Sequence, residues 1–346
     1  MENNNYLFQF IKGNKQICPA CGRKSFAAMV NVQTGEMTQF GKCDHLNSCG
    51  YKLIPTGEDV MAWRKQQSNL TCTKSAVSHL ETPSKEVYSV PVEVANKIYQ
   101  SCKDGGKDGG KNNLLTYFEE VARKLGVKVE EVECMLRQAW KEMRVTFSFN
   151  GSNKVIYWQQ AIDGRIATGK VMRYDQEGHR IKYVNSPVGW VHSDDSFGCK
   201  IDPDKQQLRQ CLFNEHLLAQ YPAADVFVVE SEKTAIILWI YLKMESRTRQ
   251  FVILSTGGAG NFKLGMFEPI LRALKGRNIT TIPDHGMFDK WAQEAKQIST
   301  AADKLGIKAN WFMVDVRNVR KKFNLSDKQI ESLHKGFDIA DVLVMH

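Results

Sequence analysis

The sequence predicts an α/β fold, a mostly parallel sheet with helices on both faces, preceded by a small cysteine-rich module and a helical and β-rich middle region. Three observations carry this expectation. The last third alternates apolar strand-like runs with helical segments, the pattern of parallel strands joined by crossover helices. The first 57 residues hold four cysteines but too few apolar residues for a core of their own, so they need a staple. In between, apolar positions recur first at helical spacing and then in short β-branched and aromatic runs.

Taken in order, residues 1–57 form the first module, with short alternating strands such as Phe26–Val32, and residues 58–86, rich in Ser, Thr, Lys and Gln, form a linker. Residues 87–150 are helical, with Leu114, Tyr117, Phe118, Val121 and Leu125 on one face and a flexible Asp-Gly-Gly-Lys-Asp-Gly-Gly loop between Lys103 and Lys111. Residues 151–220 are β-rich, with Asp163-Gly164 as a hairpin turn. Residues 221–346 supply the α/β domain: strands at 226–230, 251–255, 279–284 and 311–316, and helices from Ser231 to about Lys243 and over 264–274, 288–305 and 327–335. In such a sheet, ligands sit at the carboxyl ends of the strands.

Composition narrows the function. The chain has 346 residues, 42% of them hydrophobic and 25% charged, which suits two or three globular domains. The most apolar run, Ala235 to Leu242, stops at Lys243, well short of a membrane span. Met1-Glu-Asn-Asn-Asn carries no secretory signal, so the expected location is the cytoplasm, where the nine cysteines serve as thiols and metal ligands rather than disulfides. A net charge of +9 suits a nucleic-acid partner.

Cys18-Pro-Ala-Cys21-Gly is followed, after 21 intervening residues, by Cys43-Asp-His-Leu-Asn-Ser-Cys49-Gly. Two knuckles, each closed by Gly and joined by a β segment, predict a zinc ribbon with Cys18, Cys21, Cys43 and Cys49 around a structural Zn²⁺. The wider second knuckle makes His45 a competing ligand. Cys72, Cys102, Cys134, Cys199 and Cys211 lack partners at metal spacing and read as ordinary thiols.

The second constellation is acidic. Val228-Val-Glu230 and Ile282-Pro-Asp284 each end a strand with a carboxylate, and two carboxylates at one edge of a parallel sheet suit Mg²⁺ and phosphate chemistry. Asp289, Asp315 and the Asp338-Ile-Ala-Asp341 stretch add further acids, for which helix capping is an equally good reading at Asp289, Asp315 and Asp341. Glu230 is spare, because Ser231 already supplies the cap.

These residues resemble a known plan. The Cys-Pro-x-Cys ribbon, the β-rich middle, Glu230-Ser-Glu-Lys-Thr-Ala, Pro283-Asp284 and the terminal Asp338-Ile-Ala-Asp341 are similar to bacterial and phage primases with a toprim domain. More narrowly, Gly169-Lys-Val-Met-Arg-Tyr174 and Leu212-Phe-Asn-Glu-His-Leu-Leu218 resemble toprim proteins carried by bacterial mobile elements or plasmids. The resemblance implies a toprim fold in which Glu230 and Asp284 bind Mg²⁺ and RNA primers are made on single-stranded DNA. The second Asp of the toprim pair falls on Gly286, so the pair is broken, with Asp289, Asp338 or Asp341 left to complete the ligand set.

Lys170, Arg173 and Lys182, interleaved with Tyr157, Trp158, Tyr174, Tyr183 and Trp190, are the expected phosphate contacts on the β surface, most of the aromatics facing the core. Lys233, one turn beyond Glu230, is placed to meet a nucleotide phosphate as part of the catalytic set. Arg317, Arg320, Lys321 and Lys322 read as a solvated face. With no Gly-x-x-x-x-Gly-Lys-Ser/Thr motif, any helicase or relaxase is a separate protein. Two alternatives accompany the primase reading: a DNA-binding accessory protein of replication or mobilisation that has lost catalysis, and a toprim nuclease.

Overall fold

A computed structural model describes residues 8–31, 36–45, 49–55, 85–104, 112–148, 153–181, 188–246, 248–321, 326 and 337–345. The chain divides into two compact units, residues 1–82 and 83–346. No helix among the described residues is long and apolar enough to cross a membrane.

The first unit is an antiparallel sheet of β1 (Phe8–Ile17), β2 (Lys24–Asn31), β3 (Met37–Cys43) and β4 (Lys52–Leu53), in sequence order. Its core is small: Phe26, Ala28, Cys18 and Cys43, with Cys49 and Tyr51 packed against them. Two of these four buried residues are sulfur ligand candidates, so the staple and the core are the same object. β2 and β3 approach closely at Gly41, where a Cβ would stand 2.3 Å from the Ala27 carbonyl oxygen.

The second unit opens with β5 (Glu86–Val87) and α1 (Val92–Asp104), then α2 (Asn113–Lys124) and α3 (Val129–Met143). α2 starts where Asn112 caps it, the side-chain oxygen accepting the Leu114 amide at 3.1 Å. Leu114, Phe118, Val121 and Ala122 on α2 and Val132, Leu136, Ala139 and Met143 on α3 are its buried stripes. They pack with a four-stranded antiparallel sheet of β6 (Val145–Phe147), β7 (Lys154–Gln160), β8 (Ile166–Arg173) and β9 (Gly189–Trp190). The Asp163-Gly164 turn forms as expected: Gly164 takes φ +90° and the Asp163 carboxylate accepts the Arg165 amide at 3.0 Å. Val155, Tyr157, Met172 and Tyr174 join the core of α2 and α3, while Ile156, Trp158 and Val171 pack with Tyr88, Val90 and Val191.

After β10 (Gln206–Gln207) and the short α4 (Leu217–Gln220), the chain enters a parallel sheet of β11 (Asp225–Val229), β12 (Phe251–Ser255), β13 (Asn278–Thr281) and β14 (Asn310–Met313). The strand order is β12-β11-β13-β14, all neighbours parallel. Both faces are covered. Val226, Val228, Val252 and Leu254 face a core that includes Trp291 and Ile298 of α7 (Phe288–Lys304), whereas Phe251 and Ile253 share the other with α5 (Glu232–Glu245) and α8 (Ile339–Met345).

Several boundaries depart from expectation; the strand expected over 311–316, for one, spans Asn310–Met313. The helix expected over 264–274 is α6 (Leu264–Phe267) followed by a 3₁₀ segment, because Pro269 has no N–H to donate to the preceding turn. The strand expected to reach Asp284 ends at Thr281, two residues before Pro283. α8 was not anticipated, and the helix expected over 327–335 lies outside the described residues.

Candidate functional site

Two sites are visible, one in each unit. In the first, Cys18 and Cys21 flank the turn before β2, Cys43 ends β3, and Cys49 precedes β4. Their four sulfurs lie within 4.8 Å of one another, with Cys18–Cys49 at 3.7 Å and Cys21–Cys43 at 3.9 Å. A tetrahedron with Zn–S bonds of about 2.3 Å has edges of about 3.8 Å, so the donor set fits Zn²⁺ in size and softness. Gly22 and Gly50, each following a cysteine, adopt φ +69° and +70°, the left-handed turn only glycine makes without strain. Without a cation, the sulfurs disagree about protonation. The Arg23 backbone pulls Cys21 down to about 7. The Tyr51 backbone favours the Cys49 thiolate, but burial and the three neighbouring sulfurs push it up to about 12. His45 is exposed and outside the four-thiol group. Cys134, Cys199 and Cys211 are free thiols outside it, and Cys72 and the Cys102 side chain lie outside the description.

The second site lies at the carboxyl end of the parallel sheet. Glu230 follows β11 directly and Asp284 follows β13 after a short extension. These strands are neighbours and run the same way, so both carboxylates arrive at one edge. Asp338 arrives from elsewhere in sequence, at the start of α8. Its amide donates to the Asp341 carboxylate and the Asp341 amide donates to the Asp338 carboxylate, both at 3.0 Å, a reciprocal cap. Its other carboxylate oxygen accepts the Thr234 hydroxyl from the first turn of α5.

The acids feel one another. Burial, then the charges of Glu230 and Asp338, push Asp284 up to about 9. Burial raises Glu230 against the opposing influence of the Ala259 backbone and the neighbouring Asp284 carboxyl. Burial and the Asp341 charge raise Asp338. The Oδ1 atom of Asp284 is buried with no hydrogen-bond partner. Buried carboxylates whose proton affinity is raised, with one Asp284 oxygen orphaned, fit a hard divalent cation. The structure thus brings together Glu230, Asp284, Asp338 and Asp341, although no three of their oxygens lie within 4.8 Å of one another. Asp289 and Asp315 line an adjoining cleft of about 110 Å³ with Asp284, Gly286 and Arg317. Asp315 is held low by a fork of hydrogen bonds from Arg317.

The expected cations take different places. Lys233 is half-buried over the Tyr117 ring and donates to the Gly178 carbonyl at 3.1 Å, and its charge favours the ionised form of Asp338. Lys170, expected on an open phosphate-binding surface, is buried instead, because its ammonium is drawn to the buried Glu232 carboxylate. Arg173 is half-buried and its charge lowers Asp194. Lys182 and Tyr183 are outside the described residues, as are Lys322 and the side chains of Arg320 and Lys321. Tyr157, Trp158 and Tyr174 are buried, and Trp190 is half-buried.

Sequence reasoning missed the Lys170–Glu232 pair, whose one signal was a second carboxylate two residues after Glu230. It also missed Asp175, Glu177 and His179 in the turn after β8, an alternating acid-x-acid-x-His pattern whose ligand atoms lie within 4.8 Å of one another.

Residues 112–285, half of the chain, match the model of a domain of unknown function, DUF6371. The chain belongs to this family. The DUF6371 match includes Glu230, Asp284 and the Lys170–Glu232 pair, whereas the four cysteines, Asp338 and Asp341 lie outside it. Residues 4–61 match the model of a zinc β-ribbon finger. Among solved structures, the chain is similar to the primase fragment of the bacteriophage T7 primase-helicase protein, at 13% identity over 93% of this chain and 98% of that one, with a TM-score of 0.35. It is also similar to the zinc-binding and RNA polymerase domains of the Aquifex aeolicus primase, at 14% identity over 91% of this chain and 77% of that one, with a TM-score of 0.36. No curated protein matches the sequence.

Proposed function

We propose that this DUF6371 protein is a primase-like nucleotidyltransferase of the toprim kind that makes RNA primers on single-stranded DNA. One observation carries the reading: acids at the carboxyl ends of the adjacent strands β11 and β13 converge with Asp338 into a cluster whose members raise one another's proton affinity. Glu230, Asp284 and Asp338 would hold Mg²⁺, with Asp341 capping α8 and adding to the field. Bound there, Mg²⁺ would supply charge stabilisation for phosphoryl transfer. Asp338 takes up the duty that Gly286 cannot perform.

The chain's own groups do the rest. Lys233, beside Asp338 at the start of α5, offers positive charge to a nucleotide phosphate. The zinc ribbon engages the single-stranded template, and any helicase or relaxase, as in a mobile element or plasmid, is a separate chain. The test is primer synthesis with four ribonucleotides and Mg²⁺ or Mn²⁺, wild type against Glu230→Gln. Short RNA products that vanish in the variant are expected.

Two observations favour a second reading. Gly286 stands where the toprim pattern has its second Asp, and the acids are not gathered within metal-ligand spacing. A DNA-binding accessory protein without catalysis would give no products from either chain while retaining salt-dependent DNA affinity.

A further inference from the structure

The Lys170 ammonium has three N–H donors, and the fold occupies it fully. Its Nζ lies 3.1 and 3.0 Å from the two Glu232 oxygens and 2.9 Å from the Gly257 carbonyl oxygen. Lys170 belongs to β8, Glu232 opens α5 and Gly257 follows β12, so one side chain ties three elements together at the acidic edge. The turn is shaped for it. Gly257 takes φ +72°, and a Cβ there would stand 3.1 Å from Glu232 Oε1 and 3.7 Å from Lys170 Nζ.

The same turn holds Glu230. Ser255 Oγ donates to the Glu230 carbonyl at 3.0 Å, and the Gly257 amide donates to Ser255 Oγ at 3.1 Å. Two residues further on, the Ala259 backbone favours the ionised form of the Glu230 carboxylate. Freeing Lys170 for a phosphate would leave Glu232 buried without its counter-charge and the turn without its anchor.

We propose that Lys170 is a positioning residue that touches neither DNA nor nucleotide: by holding the Gly257 carbonyl and Glu232, it fixes the 256–260 turn, whose Gly257–Ser255 hydrogen bond in turn holds the Glu230 main chain at the acidic edge. The consequence for cation binding rests on Glu230 being a cation ligand, as proposed above; the consequence for the turn does not.

The test uses the full chain and two variants, Lys170→Met and Lys170→Met/Glu232→Gln, the second removing the stranded buried charge so that folding is preserved. Hydrogen exchange of the Gly257 amide, which donates to Ser255 Oγ, is measured by NMR without added cation, then Mn²⁺ affinity by titration, then single-stranded DNA affinity at fixed salt. In the folded double variant, Gly257 exchange is expected to accelerate about tenfold and Mn²⁺ affinity to fall by roughly 10–100-fold, the usual effect of losing an outer support, with DNA affinity unchanged. Unchanged Gly257 exchange in the double variant overturns the proposal, as does a loss of DNA affinity with Gly257 exchange and Mn²⁺ binding intact, which would make Lys170 a phosphate contact. If the wild type itself binds no Mn²⁺, the cation reading of Glu230 falls, and the exchange measurement still decides whether Lys170 holds the turn.

Discussion

The cysteine end and the acidic end are both donor sets in search of a cation, yet they relate to the fold in opposite ways. The four sulfurs come from one stretch, Cys18 to Cys49, and two of them form half of the only core their unit possesses among the described residues. The acids come from Glu230 and Asp284, after two neighbouring strands, and Asp338, before α8, around a sheet whose cores on both faces are built from apolar residues. The first site is part of its module's core; the second is carried by a unit whose apolar cores are built from other residues. Metal should therefore control folding at one end and function at the other.

Zinc removal tests this with the largest effect. Structural zinc contributes on the order of 10 kcal/mol to small ribbons of this kind, and two of its ligands are themselves part of the module's core cluster. Strong chelation, or Cys43→Ser, is expected to abolish the dispersed NMR signals of residues 8–55 and release one equivalent of zinc. The signals of residues 83–346 should persist, because that unit has apolar cores of its own. A ribbon that keeps its dispersion without zinc would erase the contrast.

Removing an acid should do the reverse. Glu230→Gln and Asp284→Asn are expected to lower primer synthesis by more than the 10–100-fold typical of losing an outer support while leaving the protein folded. Asp284→Asn should also stabilise it at alkaline pH. Asp284 titrates near 4 when unfolded and near 9 when folded, so the folded chain binds more protons between those values and loses stability as pH rises through them. Melting temperatures of both chains from pH 5 to 9, without added divalent cation, should converge at the acid end and separate at the alkaline end, the variant melting higher. Parallel curves would show that Asp284 is not held protonated.

A smaller effect follows from the same protons. A cation entering the acidic end must displace them, so Mn²⁺ affinity should rise with pH toward about 9, by up to roughly tenfold per pH unit for each proton released. Calorimetry in buffers of different ionisation enthalpy counts those protons. Binding independent of pH would place the cation elsewhere, for instance at Asp175, Glu177 and His179.

What could be read in advance follows the same division. The zinc ligands were legible because spacing along 32 residues is the site. Glu230 and Asp284 were legible because a parallel sheet delivers strand-end acids to one edge, and Ser231 capped α5 as expected, accepting the Thr234 amide at 3.1 Å. Asp338 could be named but not placed, since its position depends on α8 packing against α5. The role of Lys170 was illegible: alternation along β8 leaves open which face an acid from another element will claim, and Glu232 claimed this one. Pro269 and Pro283 were visible in the sequence, and each shortened an element that periodicity alone extended.

The smallest effect concerns the residue that breaks the pattern. Gly286 takes φ +90°, and a Cβ built on it meets nothing within 4 Å, so Gly286→Asp carries backbone strain alone, about 1–2 kcal/mol, with Asp among the side chains that tolerate positive φ best. The variant should melt a few degrees lower and bind Mn²⁺ about threefold tighter, since cation affinity follows the number of charged oxygens offered. That pairing of lower stability with tighter binding is what an acidic end added to a self-sufficient fold predicts, and the opposite of a cysteine end where binding and stability move together. A Gly286→Asp chain that melts lower but binds no tighter would mean that a carboxylate at 286 cannot reach the cation held by Glu230, Asp284 and Asp338, and the contrast between the two ends would lose this support.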